Sequence, residues 1–115
     1  MRRILSLAKR PTGVVTAGAR ISAGAHACAR ELGVRIPDEL SFIGFSDAPA
    51  QRWWGNGLTT IGLPVEDIAT AARDCLLRRA EQRGQPPERP MHVMHAPTLV
   101  ERGSTAPPPG GRAKT

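Results

Sequence analysis

Residues 11–47, PTGVVTAGARISAGAHACARELGVRIPDELSFIGFSD, leave this chain few ways to fold. A short β-branched run at 12–17 is followed by apolar residues at helical spacing over 20–32 and by a second short apolar run at 41–45. Two short apolar strands joined by a helix make a parallel βαβ unit, because parallel strands need a crossover long enough to hold a helix. Such crossovers are right-handed in nearly all proteins. Within the helix Ile21, Ala25, Cys28, Ala29 and Leu32 fall at i, i+4, i+7, i+8 and i+11, which predicts a single apolar stripe. Gly33 stands where a left-handed C-terminal cap belongs, and Pro37 and Asp38 punctuate the return to the second strand.

The rest of the chain extends this unit. Residues 46–57 are rich in turn formers and contain both tryptophans, Trp53 and Trp54; residues 58–61, LTTI, form a third extended piece. Pro64 suits the first position of a second helix, with Glu66 and Asp67 at its positive end and Arg78, Arg79 and Arg83 at its negative end. Ile68, Ala72, Cys75 and Leu76 trace its apolar face, and Gly84, Pro86 and Pro87 stop it. Residues 91–100 predict a final strand broken at Pro97. Residues 1–10 read as the end of a truncated amphipathic helix with Ile4, Leu5 and Ala8 on one side, and 106–115 as a disordered tail. The expected fold class is therefore α/β, a partial Rossmann-like parallel sheet with flanking helices.

A chain of 115 residues holds one compact unit at most. Only four aromatic residues, Phe42, Phe45, Trp53 and Trp54, are available to pack it. The net charge of +6 suggests nucleic acid, yet Arg2, Arg3, Lys9 and Arg10 supply four of those charges, Arg112 and Lys114 two, and residues 11–111 sum to zero. A neutral body does not make a DNA-reading surface. Cys28 and Cys75 lack metal-ligand spacing and read as buried free thiols in a reducing compartment. The opening MRRILSLAKR lacks the apolar run of a secretory signal, and no segment reaches the ~20 apolar residues of a membrane span, so a cytoplasmic location is expected.

The blocks PTGVVTAGARISAG, ELGVRIPDELSFIGFSD, LTTIGLPVEDIATAA and LVERGST, in this order and spacing, resemble the C-terminal part of the LacI/GalR family of bacterial transcription regulators. The resemblance covers about residues 4–105. It implies one lobe of a sensor domain similar to periplasmic sugar-binding proteins, in which a small effector, a sugar or a purine-like base, sits between two lobes. It implies homodimers when complete, and DNA binding through a helix-turn-helix head that resembles nothing in these residues. A solute-binding fragment of a transport system and a non-functional gene remnant are the alternatives.

Ligands of open α/β sheets bind beyond the carboxyl ends of the strands, which singles out Gly18 and the Ser46–Asp47 pair. In the resembled family the corresponding turns usually read Asn-Asp and Asp-Asp, and the first acid of the second pair often binds the effector; here they read Gly18-Ala19 and Ser46-Asp47. Asp47 can either contact a ligand or serve as a turn residue accepting from nearby backbone N–H groups. By the same resemblance Ala23, His26 and Trp54 fall at dimer-interface positions, while Trp54 can alternatively pack or stack on a ligand. His92 and His95, three apart on a strand, would point to opposite faces and could not share a metal ion. There is no P-loop, no GxSxG elbow and no acid–base pair, so neither catalysis nor a cofactor is expected.

Overall fold

The computed structural model describes residues 1–84 and 90–108. These form two compact units rather than the one expected from the chain length, the first comprising Met1–Gly62 with the chain from Leu99 onward, the second Leu63–Thr98.

The first unit contains helix α1 (Arg2–Leu5), strand β1 (Gly13–Val15), helix α2 (Ala19–Glu31), strand β2 (Ser41–Phe45), a 3-10 turn (Pro49–Trp53) and strand β3 (Thr59–Gly62). The sheet order is β1-β2-β3-β4, where β4 is Thr98–Val100. Val14 lies opposite Phe42 in the parallel β1–β2 ladder, and Gly44 opposite Thr60 in the parallel β2–β3 ladder. Both carboxyl ends of the first two strands thus share one edge, as a βαβ unit requires.

Helix α2 ends as its sequence dictates. Gly33 takes a φ of +68°, the Val34 N–H reaches the Ala29 carbonyl at 3.0 Å, and the Gly33 N–H reaches that of Arg30 at 3.0 Å, the paired bonds of a Schellman cap. The buried face of α2 keeps the middle of the expected stripe, with Ala29 buried, Ala25 packed on the core and Cys28 half-buried, but not its two ends. Ser22, His26 and Ala29 are buried, whereas Ile21 and Leu32, two members of that stripe, are exposed. The helix buries two polar side chains because each has a partner on the sheet side: Ser22 bonds to strand ends and His26 packs on rings.

The core is small. Leu40, Phe42 and Leu58 are fully buried, and Met1, Leu5, Val34, Ile36 and Trp54 pack around them. Buried alternate positions of β2, Phe42 and Gly44, face this side. A Cβ on Gly44 would come within 2.6 Å of a Leu58 methyl, so glycine there lets β3 carry a core leucine against the strand. Of the four aromatic residues only Phe42 is fully buried, and Trp53 remains 83% exposed. The N-terminal segment is a single turn; Leu5 packs on the core while Ile4 is exposed and Ala8 lies beyond the helix.

The second unit contains helix α3 (Val65–Glu81), which begins directly after Pro64 with Glu66 and Asp67 in its first turn and carries Arg78 and Arg79 in its last. None of its residues is buried; Val65, Ile68, Leu76 and Leu77 are all exposed. The strand expected over 91–100 is confined to Thr98–Val100, and 91–96 has no regular structure. Pro97 has no N–H to donate to a ladder, and the apolar side chains before it, Met91, Val93 and Met94, are exposed, so no packing holds 91–96 as a strand. The strand geometry that separated His92 from His95 is therefore absent. Of the tail expected over 106–115, residues 109–115 lie outside the described residues. Cys28 and Cys75, expected to be buried, are free thiols that are each only half-buried. Among the described residues no helix is long and apolar enough to cross a membrane.

Candidate functional site at the carboxyl edge of the sheet

Gly18, Ser46 and Asp47 meet at one edge because β1 and β2 are parallel. Gly18 is the N-cap of α2, and its carbonyl accepts the Ser22 backbone N–H at 2.8 Å and the Ser22 hydroxyl at 2.9 Å. The Ser22 Oγ also lies 2.7 Å from Thr16 Oγ1 and accepts the Phe45 N–H at 3.2 Å. Thr16 in turn donates its N–H to the Ile43 carbonyl at 3.0 Å. One buried hydroxyl therefore ties the start of α2 to the ends of both strands, and the edge is held by a network whose members are paired.

Directly beyond, the chain turns through two left-handed residues, Ser46 with φ +85° and Asp47 with φ +45°. Non-glycine residues in this region carry strain of about 1–3 kcal/mol each, which the surroundings must offset. They do so by hydrogen bonding: the Ser46 N–H reaches the Ile61 carbonyl at 2.8 Å, and Asp47 Oδ1 accepts Arg102 Nη1 at 2.6 Å and the Thr60 hydroxyl at 2.8 Å. Arg102 Nη1 also donates to the Leu58 carbonyl at 2.7 Å, and the Arg102 backbone exchanges hydrogen bonds with the Thr59 hydroxyl. Both side chains of the ion pair are less than a fifth exposed. Asp47 thus accepts from side chains rather than from the backbone N–H groups of its own turn. The Ser46 hydroxyl makes no hydrogen bond among the described residues, leaving it able to donate or accept at this edge.

The Arg102 guanidinium beside Asp47 holds its carboxyl below the ordinary value of 3.8, with Thr60 assisting and burial opposing. A carboxyl with a depressed folded-state pKa stabilises the fold above its unfolded value, and that contribution is lost as pH falls through the folded value. His26 is also lowered, from 6.5, by burial and then by Arg30, so it stabilises the fold in its neutral form and that contribution falls away on acidification below 6.5. Acid denaturation followed by circular dichroism should therefore show a loss beginning below pH 6.5 and a second below 3.8. Asp47→Asn should be less stable at neutral pH and show a smaller second loss, the remainder belonging to Glu39, which the Arg35 N–H and the Arg10 side chain hold below 4.5; an undiminished second loss would show that Asp47 does not contribute to it.

The other residues singled out by sequence lie on a different face. His26 and Trp54 stack with centroids 5.2 Å apart and an interplanar angle of 22°, and the His26 ring stands edge-on to Phe42 at 5.9 Å. Ala23 is exposed one turn before His26. The structure brings His26 and Trp54 together within one chain and leaves Ala23 beside them on the surface.

Arg102, Thr60, Ser22 and Ser104 escaped the sequence reading as site-forming residues. Ser104 donates to the Phe42 carbonyl at 2.6 Å and accepts the Thr59 N–H at 2.8 Å, closing the chain onto β2 and β3. The one available signal was that Arg102 and Ser104 sit in the block LVERGST, a charged and hydroxyl-bearing stretch directly after an apolar run. Among the described residues no group of three or more His, Cys, Asp or Glu side chains is placed to hold a metal.

A sheet whose first three strands run parallel, with a helix crossing from the first to the second, is an α/β lobe of the periplasmic-binding type. The chain belongs to the periplasmic binding protein-like domain family, whose model matches residues 1–105, and LacI family transcriptional regulators are among the solved structures it resembles. It is 36% identical over 106 residues to the HTH-type transcriptional repressor PurR of Escherichia coli O1:K1, covering 92% of this chain and 30% of that protein. The PurR of Pectobacterium atrosepticum is likewise 36% identical, over 107 residues. The chain thus spans about 30% of the length of these curated relatives. Among solved structures, a LacI family transcriptional regulator from Mycobacterium smegmatis superposes with a TM-score of 0.72 at 31% identity, covering 87% of this chain and 35% of that one. A LacI family regulator from Lactobacillus casei with bound sucrose gives 0.71 at 26% identity, covering 90% and 38%.

Proposed function

We propose that these residues form the effector-sensing part of a LacI/GalR-type transcriptional regulator, with a sugar or a nucleobase-like molecule held against the edge formed by Gly18, Ser46 and Asp47. The observation that carries this is the common edge itself: two turns 28 residues apart in sequence (18 to 46) stand side by side at the carboxyl ends of parallel strands. The effector would favour one arrangement of the two lobes and thereby one spacing of DNA-reading heads. Operator recognition belongs to a helix-turn-helix head that these 115 residues do not include, and the working location is the cytoplasm. Isothermal titration against sucrose and hypoxanthine tests the reading. At least one should bind saturably, and Ser46→Ala should weaken it about tenfold, the effect of one well-placed hydrogen bond of about 1.4 kcal/mol. Binding indifferent to substitution at Ser46 and Gly18 would overturn it, as would specific, salt-resistant operator binding by these residues alone in a gel shift.

Ala23, His26 and Trp54 are proposed to mark the face on which a second copy docks. Ala23 is exposed and outside the core, so Ala23→Glu tests this without disturbing packing. Sedimentation should shift toward the monomer by about tenfold in dissociation constant, as expected for an unpaired charge at an interface; an unchanged profile would remove Ala23 from that face.

A further inference from the structure

We infer that His26 makes the docking of a second copy sensitive to pH: its stack on Trp54 shapes that face while the imidazole is neutral and comes apart when the ring takes up a proton. The inference rests on the docking face proposed above for Ala23, His26 and Trp54, and adds its regulation.

Packing rather than hydrogen bonding fixes this ring. His26 is 9% exposed, lies nearly parallel to the Trp54 indole at 5.2 Å, and stands edge-on to Phe42 at 5.9 Å. Its nitrogens make no side-chain hydrogen bond and no ion pair among the described residues. Trp54 is itself packed against the cluster of Leu40, Phe42 and Leu58. One imidazole thus connects α2 with the core of β2 and with the loop that carries Trp54.

The surroundings suit a neutral ring and penalise a charged one. Around it α2 brings Arg30, β2 brings Phe42, the loop brings Trp54 and Asn56, and the closing segment brings Ser104. Of the residues lining the cavity they border, Arg30 alone carries a charge besides any on His26, and none is an acid. A proton on His26 therefore places a second positive charge one helical turn from Arg30, in a buried position and without a carboxylate to pair it. The indole face attracts a cation by about 0.5–1 kcal/mol at exposed sites. Burial and then Arg30 outweigh that attraction, since together they lower His26 from its ordinary 6.5. By leaving the stack the charged ring regains water and distance from Arg30, and Trp54 loses the surface that holds it. Only a copy neutral at His26 presents the formed face, so acidification withdraws docking-competent chains.

The full 115-residue chain would be followed from about pH 7.5 to about pH 5 by nitrogen-15 correlation spectra and by sedimentation, across the range in which histidine titrates. The Trp54 indole signal should shift with a midpoint below 6.5. His26→Phe keeps a ring on the indole but cannot titrate, and should hold that signal still. One pH unit below the midpoint about a tenth of the chains are neutral, so docking that needs both copies neutral should weaken about a hundredfold. In His26→Phe this pH dependence should vanish. Arg30→Gln, at an exposed position that leaves the packing alone, should move the midpoint upward. An indole shift that persists in His26→Phe, or a midpoint unmoved by Arg30→Gln, would overturn the inference. Association that is present but equally strong across the range would overturn it and leave the docking face standing. A chain that stays single at every pH and concentration would remove the docking face, and the inference with it.

Discussion

Replacing Arg102 with alanine is expected to lower the free energy of unfolding by about 3 kcal/mol, because it leaves a largely buried carboxylate and a buried carbonyl without their partner. The guanidinium Nη1 donates to Asp47 and to Leu58 at 2.6 and 2.7 Å, and lies 3.3 Å from the Thr60 hydroxyl. These three acceptors belong to the turn after β2, the residue before β3 and β3 itself, so one side chain pins the strained Ser46–Asp47 turn to its neighbour strand. Asp47→Asn keeps an acceptor at the same place and should cost less. Urea denaturation of the two single variants and the double variant checks this, since residues of one network should not add. Additive effects, or a loss below about 1 kcal/mol for Arg102→Ala, would show that the turn is held by its backbone bonds alone.

Phe42→Ala should be at least as damaging, with a loss of about 3–5 kcal/mol, the usual cost of emptying a buried aromatic position. Small domains are stable by roughly 5–15 kcal/mol, so the variant should sit near the limit of folding. Phe42 is 0% exposed and forms the fully buried cluster with Leu40 and Leu58 alone. It also backs the His26 ring, and through it Trp54. The variant should therefore shift tryptophan emission to the red at urea concentrations where the wild-type spectrum is unchanged. Phe42→Leu, which retains much of the volume, should restore most of the stability. Equal loss in both variants would mean that the edge contact with His26, rather than filled volume, is what matters.

The parts of the fold that were legible from sequence are those with local causes. The strand at 41–45 and the Gly33 cap follow from short-range signals: an apolar run bounded by turn residues, and a glycine where φ must be positive. The meeting of Gly18 with Ser46 and Asp47 was also legible, because a strand–helix–strand order leaves a parallel arrangement and hence a shared carboxyl edge. The buried face of α2 was legible only in part. Counting apolar side chains found Ala25, Cys28 and Ala29 but also pointed to the exposed Ile21 and Leu32, whereas the helix buries Ser22 and His26, whose partners Thr16, Phe45 and Phe42 come from other elements. The strand expected from 91 failed for a related reason: residues of strand-like composition stay extended only where a neighbouring ladder accepts their N–H groups.

Hydrophobic spacing, turn residues and charge order along the chain were enough to determine the α/β class and the order of its elements. They could do so because each depends on residues a few positions apart. Only the tertiary structure decided that Asp47 is engaged by Arg102 across 55 residues, that Ser22 joins three chain segments, and that two rings 28 positions apart (26 and 54) stack. Such contacts have no periodicity to betray them, since the partner of a buried polar group is chosen by where packing brings the chain together.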